Sequence, residues 1–154
     1  MATSAKDRAL RVLGIRARSR EELRRRLAQK GHEVEEIEAA LDDLESVGLV
    51  DDEEFARQLT AHHIGVRGSG RRVALAELRR AGVETEVAER AVAAGAPEDE
   101  EARAEELARG RLRRLGTLDE ATAYRRLVAF LHRRGYDAET ARNAARRALA
   151  NSEL

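Results

Sequence analysis

The 154-residue sequence has no cysteine, no tryptophan, a single proline at Pro97 and only four aromatic residues, two Phe and two Tyr. Without cysteine there is no disulfide, no thiolate metal site and no cysteine nucleophile, which fits a reducing compartment. No window approaches the ~18 consecutive apolar residues that a membrane span needs, and the opening MATSAKDRAL lacks the apolar stretch of a secretory leader. The expectation is a cytoplasmic protein with no membrane partner. An excess of charge of one sign is also missing: 29 Lys and Arg balance 29 Asp and Glu. A partner must therefore be read from where the charges lie and not from their sum.

What the chain has in quantity is Ala, Leu, Glu and Arg, a composition that favours helix nearly everywhere and predicts an all-α fold without a sheet. The period is plain in Val34, Ile37, Leu41 and Leu44, with Glu35, Glu36, Glu38, Asp42 and Asp43 mostly on the opposite side, as in a surface helix with one buried face. Ser19 with Glu22 and Thr117 with Glu120 have capping-box spacing, and Asp51 with Glu54 repeats it with Asp as the cap. The acids of GLVDDEEFARQ, 48 to 58, then mark a helix start. A hard-cation loop would spread its ligands along an irregular turn containing glycine, whereas these acids run directly into a helix.

The chain also repeats. Leu23, Leu27 and Gly31 recur as Ala74, Leu78 and Gly82, and again as Leu127, Leu131 and Gly135, with the glycines 51 and 53 residues apart. Each glycine suits the left-handed position that ends a helix, and the acid that follows, Glu33, Glu84 or Asp137, suits the cap of the next. About fifty residues hold three short helices, so the expected copies are 4–48, 51–94 and 98–150.

Three segments carry a resemblance to a known family: GLVDDEEFA (48 to 56), RGSGRRVALAELRRAGV (67 to 83) and RRLVAFLHRRGY (125 to 136). They resemble signature segments of the RecX family of bacterial recombination regulators, in the right order and over essentially the whole chain. The resemblance implies tandem three-helix repeats in an elongated, curved array. It also implies binding to the RecA filament on single-stranded DNA, with inhibition of ATP hydrolysis and strand exchange and so modulation of recombination and DNA repair. Leu49 departs from the family pattern, standing where many members carry an aromatic, and is expected to alter only local packing.

No motif points to catalysis. Gly68-Ser69-Gly70 follows a helix and is succeeded by Arg71-Arg72, with no Gly-Lys pair to cradle a phosphate. His62 and His63 are adjacent and so diverge by about 100 degrees on a helix, unlike metal ligands at i, i+4. The chain is read as a non-enzyme with no cofactor and no metal. The competing reading is a helical DNA-binding protein, because helix, short turn and helix is also the outline of a DNA reader. Against it, the segment from Val34 to Val47 carries six acids and no base. Single-strand binding needs aromatic platforms, and Phe55, Tyr124 and Phe130 are expected in the core. A third reading is an adaptor for another protein.

The cations concentrate instead on the second helix of each copy. The candidate partner-binding residues are Arg24, Arg25, Arg26 and Lys30; Arg71, Arg72, Arg79 and Arg80; Arg125, Arg126, Arg133 and Arg134. Cations near a helix C-terminus complement its dipole, so ordinary solvated surface accounts for many of them. It does not account for their recurrence on the corresponding helix of every copy. Copies stacked alike would form a basic track beside an acidic one, with arginine suited to carboxylate or phosphate. The expected partner is thus the RecA filament on single-stranded DNA, with direct contact to DNA phosphates left open, and the chain is expected to act as a monomer.

Overall fold

Short polar side chains at the helix starts divide the chain into its elements, and the computed structural model, which describes residues 2–152, contains helices and no strand among them. In order these are α1 (Ala5–Leu13), α2 (Arg20–Gln29), α3 (Val34–Ser46), α4 (Asp52–Thr60) running on into a π-helical stretch (Ala61–Val66), α5 (Arg71–Arg80), α6 (Thr85–Gly95), α7 (Glu100–Leu115), α8 (Glu120–Arg133) and α9 (Ala138–Asn151). Ser19 and Glu22 form the expected capping box. Asp51 Oδ1 accepts from the backbone N–H groups of both Glu53 and Glu54 at 3.1 Å. Thr117 is not a cap. Asp119 takes that place, accepting from the Thr122 N–H at 2.7 Å, because a carboxylate directly before the helix answers both the free donors and the positive dipole end. Glu33 stands at the start of α3 without a side-chain bond to it, whereas Asp137 caps α9. Gly31, Gly82 and Gly135 all have positive φ, at 88°, 77° and 101°.

The chain forms two compact units, one of residues up to Leu59 with Glu77–Ala91, the other of Thr60–Ala76 with residues from Val92 onward. In the first, α3 packs across α1 and α2, and Ala5, Ala9, Leu23, Leu27, Ile37, Leu41 and Leu44 close the core. Each buried Leu or Ile stabilises by roughly 1.5 to 3 kcal/mol relative to exposure. Val34, expected on this face, is 68% exposed, and Ala40 fills the stripe in its place. Placed at the first residue of α3, Val34 lies beyond the end of the helix that α3 covers. Leu49, at the glycine turn, is exposed as well.

In the second unit α9 packs across α7 and α8. Alanines make the close approach possible: Ala104 and Ala108 on α7 are buried with Ala141, Ala144, Ala145 and Ala148 on α9, and Leu127 and Leu131 come from α8. The aromatics depart from expectation here. Phe55 is buried, but Tyr124 and Phe130 only flank the core, and the fully buried ring is Tyr136. Its hydroxyl donates to the Gly68 carbonyl at 3.0 Å, which satisfies the polar tip of a buried tyrosine.

One construction occurs in each unit. In the first, the Ser19 hydroxyl at the start of α2 donates to the Ala81 carbonyl at 2.5 Å; in the second, the Gly70 N–H before α5 donates to the Arg134 carbonyl at 2.7 Å. The start of one second helix thus rests on the glycine turn that ends the next. A Cβ on Gly82 would meet Glu21, and one on Gly135 would meet Val73, while Gly31 has nothing within 4 Å.

Candidate partner-binding surface

In the first unit the basic face of α2 meets the acidic face of α3. Arg24 Nε donates to Glu38 at 2.6 Å and the same guanidinium also reaches Glu21. Arg20 bridges Glu38 at 3.0 Å and Asp42 at 2.8 Å and also contacts Glu45. Hydrogen bonds from Arg24, then Arg20, pull the Glu38 carboxyl down to about 2. The two tracks of opposite charge imagined from the sequence therefore neutralise each other in part within this unit. Asp52 joins the same cluster: its Oδ1 accepts the backbone N–H of Arg20 at 2.8 Å, one of the unpaired donors at the start of α2. Burial pushes the Asp52 carboxyl above its usual range, against the hydrogen bond from Arg20. The acid pair of the seam thus starts two helices, Asp51 its own and Asp52 a neighbour.

Several of the candidate cations have intramolecular work. Arg25 pairs with Glu21 at 3.4 Å and donates to the Arg80 carbonyl at 2.8 Å, and Arg80 pairs with Glu77 at 3.2 Å. In the second unit Arg71 pairs with Glu100 at 3.3 Å, Arg72 donates to the His132 carbonyl, and Arg134 donates to the Arg67 carbonyl. Arg125 reaches only the Thr122 hydroxyl, at 3.3 Å. Arg26, Lys30, Arg79, Arg126 and Arg133 are exposed, and among the described residues their side chains have no hydrogen-bond or ion-pair partner. These five and Arg125 are the cations an external partner meets without breaking an existing ion pair.

Sequence reasoning missed a second basic feature. A groove of about 1030 Å³ in the second unit is lined by Arg67, Arg103, Arg111, Arg113, Arg114 and Arg134, with Phe130, Leu107 and the exposed Val66 as its apolar part. Arg111 and Arg134 lie over the Phe130 ring, 5.2 and 5.6 Å from its centroid. The legible signal was the run RGRLRR, 109 to 114, together with Arg103, Leu107, Gly110 and Arg114 at helical spacing on one face of α7. The contributions of Arg67 and Arg134 come from distant segments and had no local signature. Among the described residues no helix is long and apolar enough to cross a membrane, and no group of three or more His, Asp or Glu could hold a metal ion.

Comparison with known proteins places these observations. The RecX first three-helix domain matches residues 5–44, the second 51–92 and the third 98–145. Regulatory protein RecX of Amycolatopsis mediterranei is 46% identical over 132 residues, covering 86% of this chain and 75% of that protein. The same-named protein of Mycolicibacterium vanbaalenii is 43% identical over 153 residues, covering 96% of this chain and 83% of its own length. In fold, the chain is similar to the crystal structure of RecX from Lactobacillus salivarius, with a TM-score of 0.83 at 16% identity and 95% of each chain covered. A crystal structure of a regulatory protein RecX gives 0.77 at 22% identity, covering 88% of this chain and 67% of that one. With three family domains in order and relatives this similar over most of its length, the chain belongs to the RecX family of regulatory proteins.

Proposed function

We propose that the protein binds the filament that RecA forms on single-stranded DNA and holds back its ATP hydrolysis and strand exchange, acting by occupancy and not by chemistry. The observation that carries this reading is membership of a family whose members are named as regulators. The charge distribution supports it: Arg26, Lys30 and Arg79 in the first unit, and Arg125, Arg126 and Arg133 in the second, are exposed cations without acidic partners. Arginine suits both the carboxylates of a protein filament and the phosphates of its DNA. The copies 4–48, 51–94 and 98–150 would each present a second helix to the partner, and the protein would do so as a monomer. Reading duplex DNA through α3 is disfavoured, because that helix has six acids and no base.

The test is retention of the purified protein on RecA assembled on immobilised single-stranded DNA, beside free RecA and naked DNA. Retention should be strongest on the assembled filament, and Arg26→Glu/Arg79→Glu and Arg126→Glu/Arg133→Glu should each weaken it with the helical signal intact, since exposed charges contribute little to folding. Equal retention on naked DNA and on the filament would reject the reading.

A further inference from the structure

The arginine groove of the second unit has three properties that filament binding through the second helices does not use. Six guanidinium groups line it against one carboxylate, Glu106, and among the described residues none of the six is in an ion pair. The contrast is with Arg20 and Arg24, whose charges are consumed by Glu21, Glu38, Asp42 and Glu45. Second, the groove has an apolar lining: Phe130 is half-buried, Leu107 lies beside it, and Val66 is 78% exposed. Third, Gly110 interrupts the middle of α7, where glycine is the least favourable residue after proline. No packing requires it, because the nearest atom to a Cβ placed there is Arg113 Nη2 at 3.9 Å. Gly110 lines the groove, so the missing side chain leaves it open.

We propose that this groove binds a single strand of nucleic acid, with the arginines on phosphodiester oxygens and the apolar lining against the faces of unstacked bases. A positive groove combined with aromatic surface is what single strands require. An acidic peptide would satisfy the arginines but leave Phe130, Leu107 and Val66 against water. A duplex offers the phosphates but keeps its base faces stacked inside. The groove is also prepared for its ligand: Phe130 holds Arg111 and Arg134 from below, Arg134 is tied to the Arg67 carbonyl, and Arg103 to the Gly65 carbonyl at 3.1 Å. Guanidinium groups fixed in this way lose less freedom when a phosphate arrives. Arg113 and Arg114, exposed at the C-terminal end of α7, extend the cationic path. The inference does not depend on the filament reading, because the groove would take a naked strand, and it concerns residues outside the exposed second-helix cations assigned to the filament.

The experiment is fluorescence anisotropy of a labelled thymidine oligonucleotide with the full chain across a salt series. The parent should bind with affinity that falls as salt rises. Arg113→Ala/Arg114→Ala should weaken binding about tenfold and lower the log–log salt slope by roughly 1.4, two phosphate contacts on a single strand. Gly110→Leu keeps every charge and favours the helix, yet fills the groove, and should weaken binding at least about fivefold by displacing stacked bases. Arg109→Ala/Arg142→Ala removes two charges outside the groove and should leave the affinity unchanged. Parent-like binding by Gly110→Leu would overturn the proposal, as would equal binding of a duplex of the same length or equal competition by poly-glutamate at matched charge. Retention on the filament, measured separately, can then fail or hold without altering this outcome.

Discussion

Substituting alanine for glycine at three positions separates two demands that the helix junctions make on the chain. At Gly31 φ is +88° and a Cβ would have open space around it. Gly31→Ala therefore incurs only the left-handed backbone cost, roughly 1 to 2 kcal/mol. Gly135 has φ +101°, and its Cβ would stand 2.6 Å from Val73 Cγ2 and 2.9 Å from the Val73 backbone nitrogen. Because a backbone atom of α5 must move as well as a methyl group, overpacking of about 1 to 3 kcal/mol adds to the backbone cost, and a total of ~2 to 5 kcal/mol is expected. Gly70 has no positive φ, so its case is steric alone. A Cβ there would stand 2.3 Å from the Gly135 carbonyl oxygen and 2.7 Å from the Tyr136 nitrogen. Parting those backbones also weakens the Gly70 to Arg134 hydrogen bond, and the loss should reach ~2 kcal/mol or more. Urea titration followed by the helical circular dichroism signal measures all three. Val73→Ala in the Gly135→Ala background should return part of the loss as a positive coupling in a double-mutant cycle. Equal losses for Gly31→Ala and Gly135→Ala, with no coupling to Val73, would refute the reasoning that the glycine turn is a docking surface.

Two further outcomes follow from the charges around α2 and α4. Asp51→Ala should lower stability by roughly 0.5 to 2 kcal/mol while Asp51→Asn loses little, because Asn also caps; complete loss of filament inhibition in a folded Asp51→Asn protein would instead indicate a functional carboxylate. The Glu38 carboxyl is held down at about 2, below the ~4.3 of an unfolded glutamate. Its contribution to stability is therefore complete above pH ~4.3 and lost as pH falls through about 2. Urea midpoints of the parent and Glu38→Gln, measured from pH 7 downward, should converge toward pH 2, and curves that stay parallel would contradict the assigned ion pairs.

Local rules made the fold readable and hid much of the charged surface. Ile37, Leu41 and Leu44 share a face through spacing alone, and the glycines at 31, 82 and 135 end helices for a backbone reason that acts within a few residues. Thr117 and Asp119 show where such rules compete, since both stand before α8 and only the nearer one reaches a helix donor. Phe130 was placed in the core because apolar residues are assigned inward by default. Its ring is kept at the groove by Arg111 and Arg134, and Arg111 lies on another helix. Arg20 shows the same limit: its partners Glu38, Asp42 and Glu45 are 18 to 25 residues away, so the second-helix cations looked free when several of their neighbours are already paired.

The most direct test of filament regulation is the rate of ATP hydrolysis by RecA already assembled on single-stranded DNA, measured as this protein is added. The rate should fall with concentration and level off once the filament is saturated. Arg26→Glu/Arg79→Glu and Arg126→Glu/Arg133→Glu should need markedly more protein for the same inhibition. Hydrolysis that continues at the uninhibited rate while the protein is demonstrably bound to the filament would contradict regulation by occupancy.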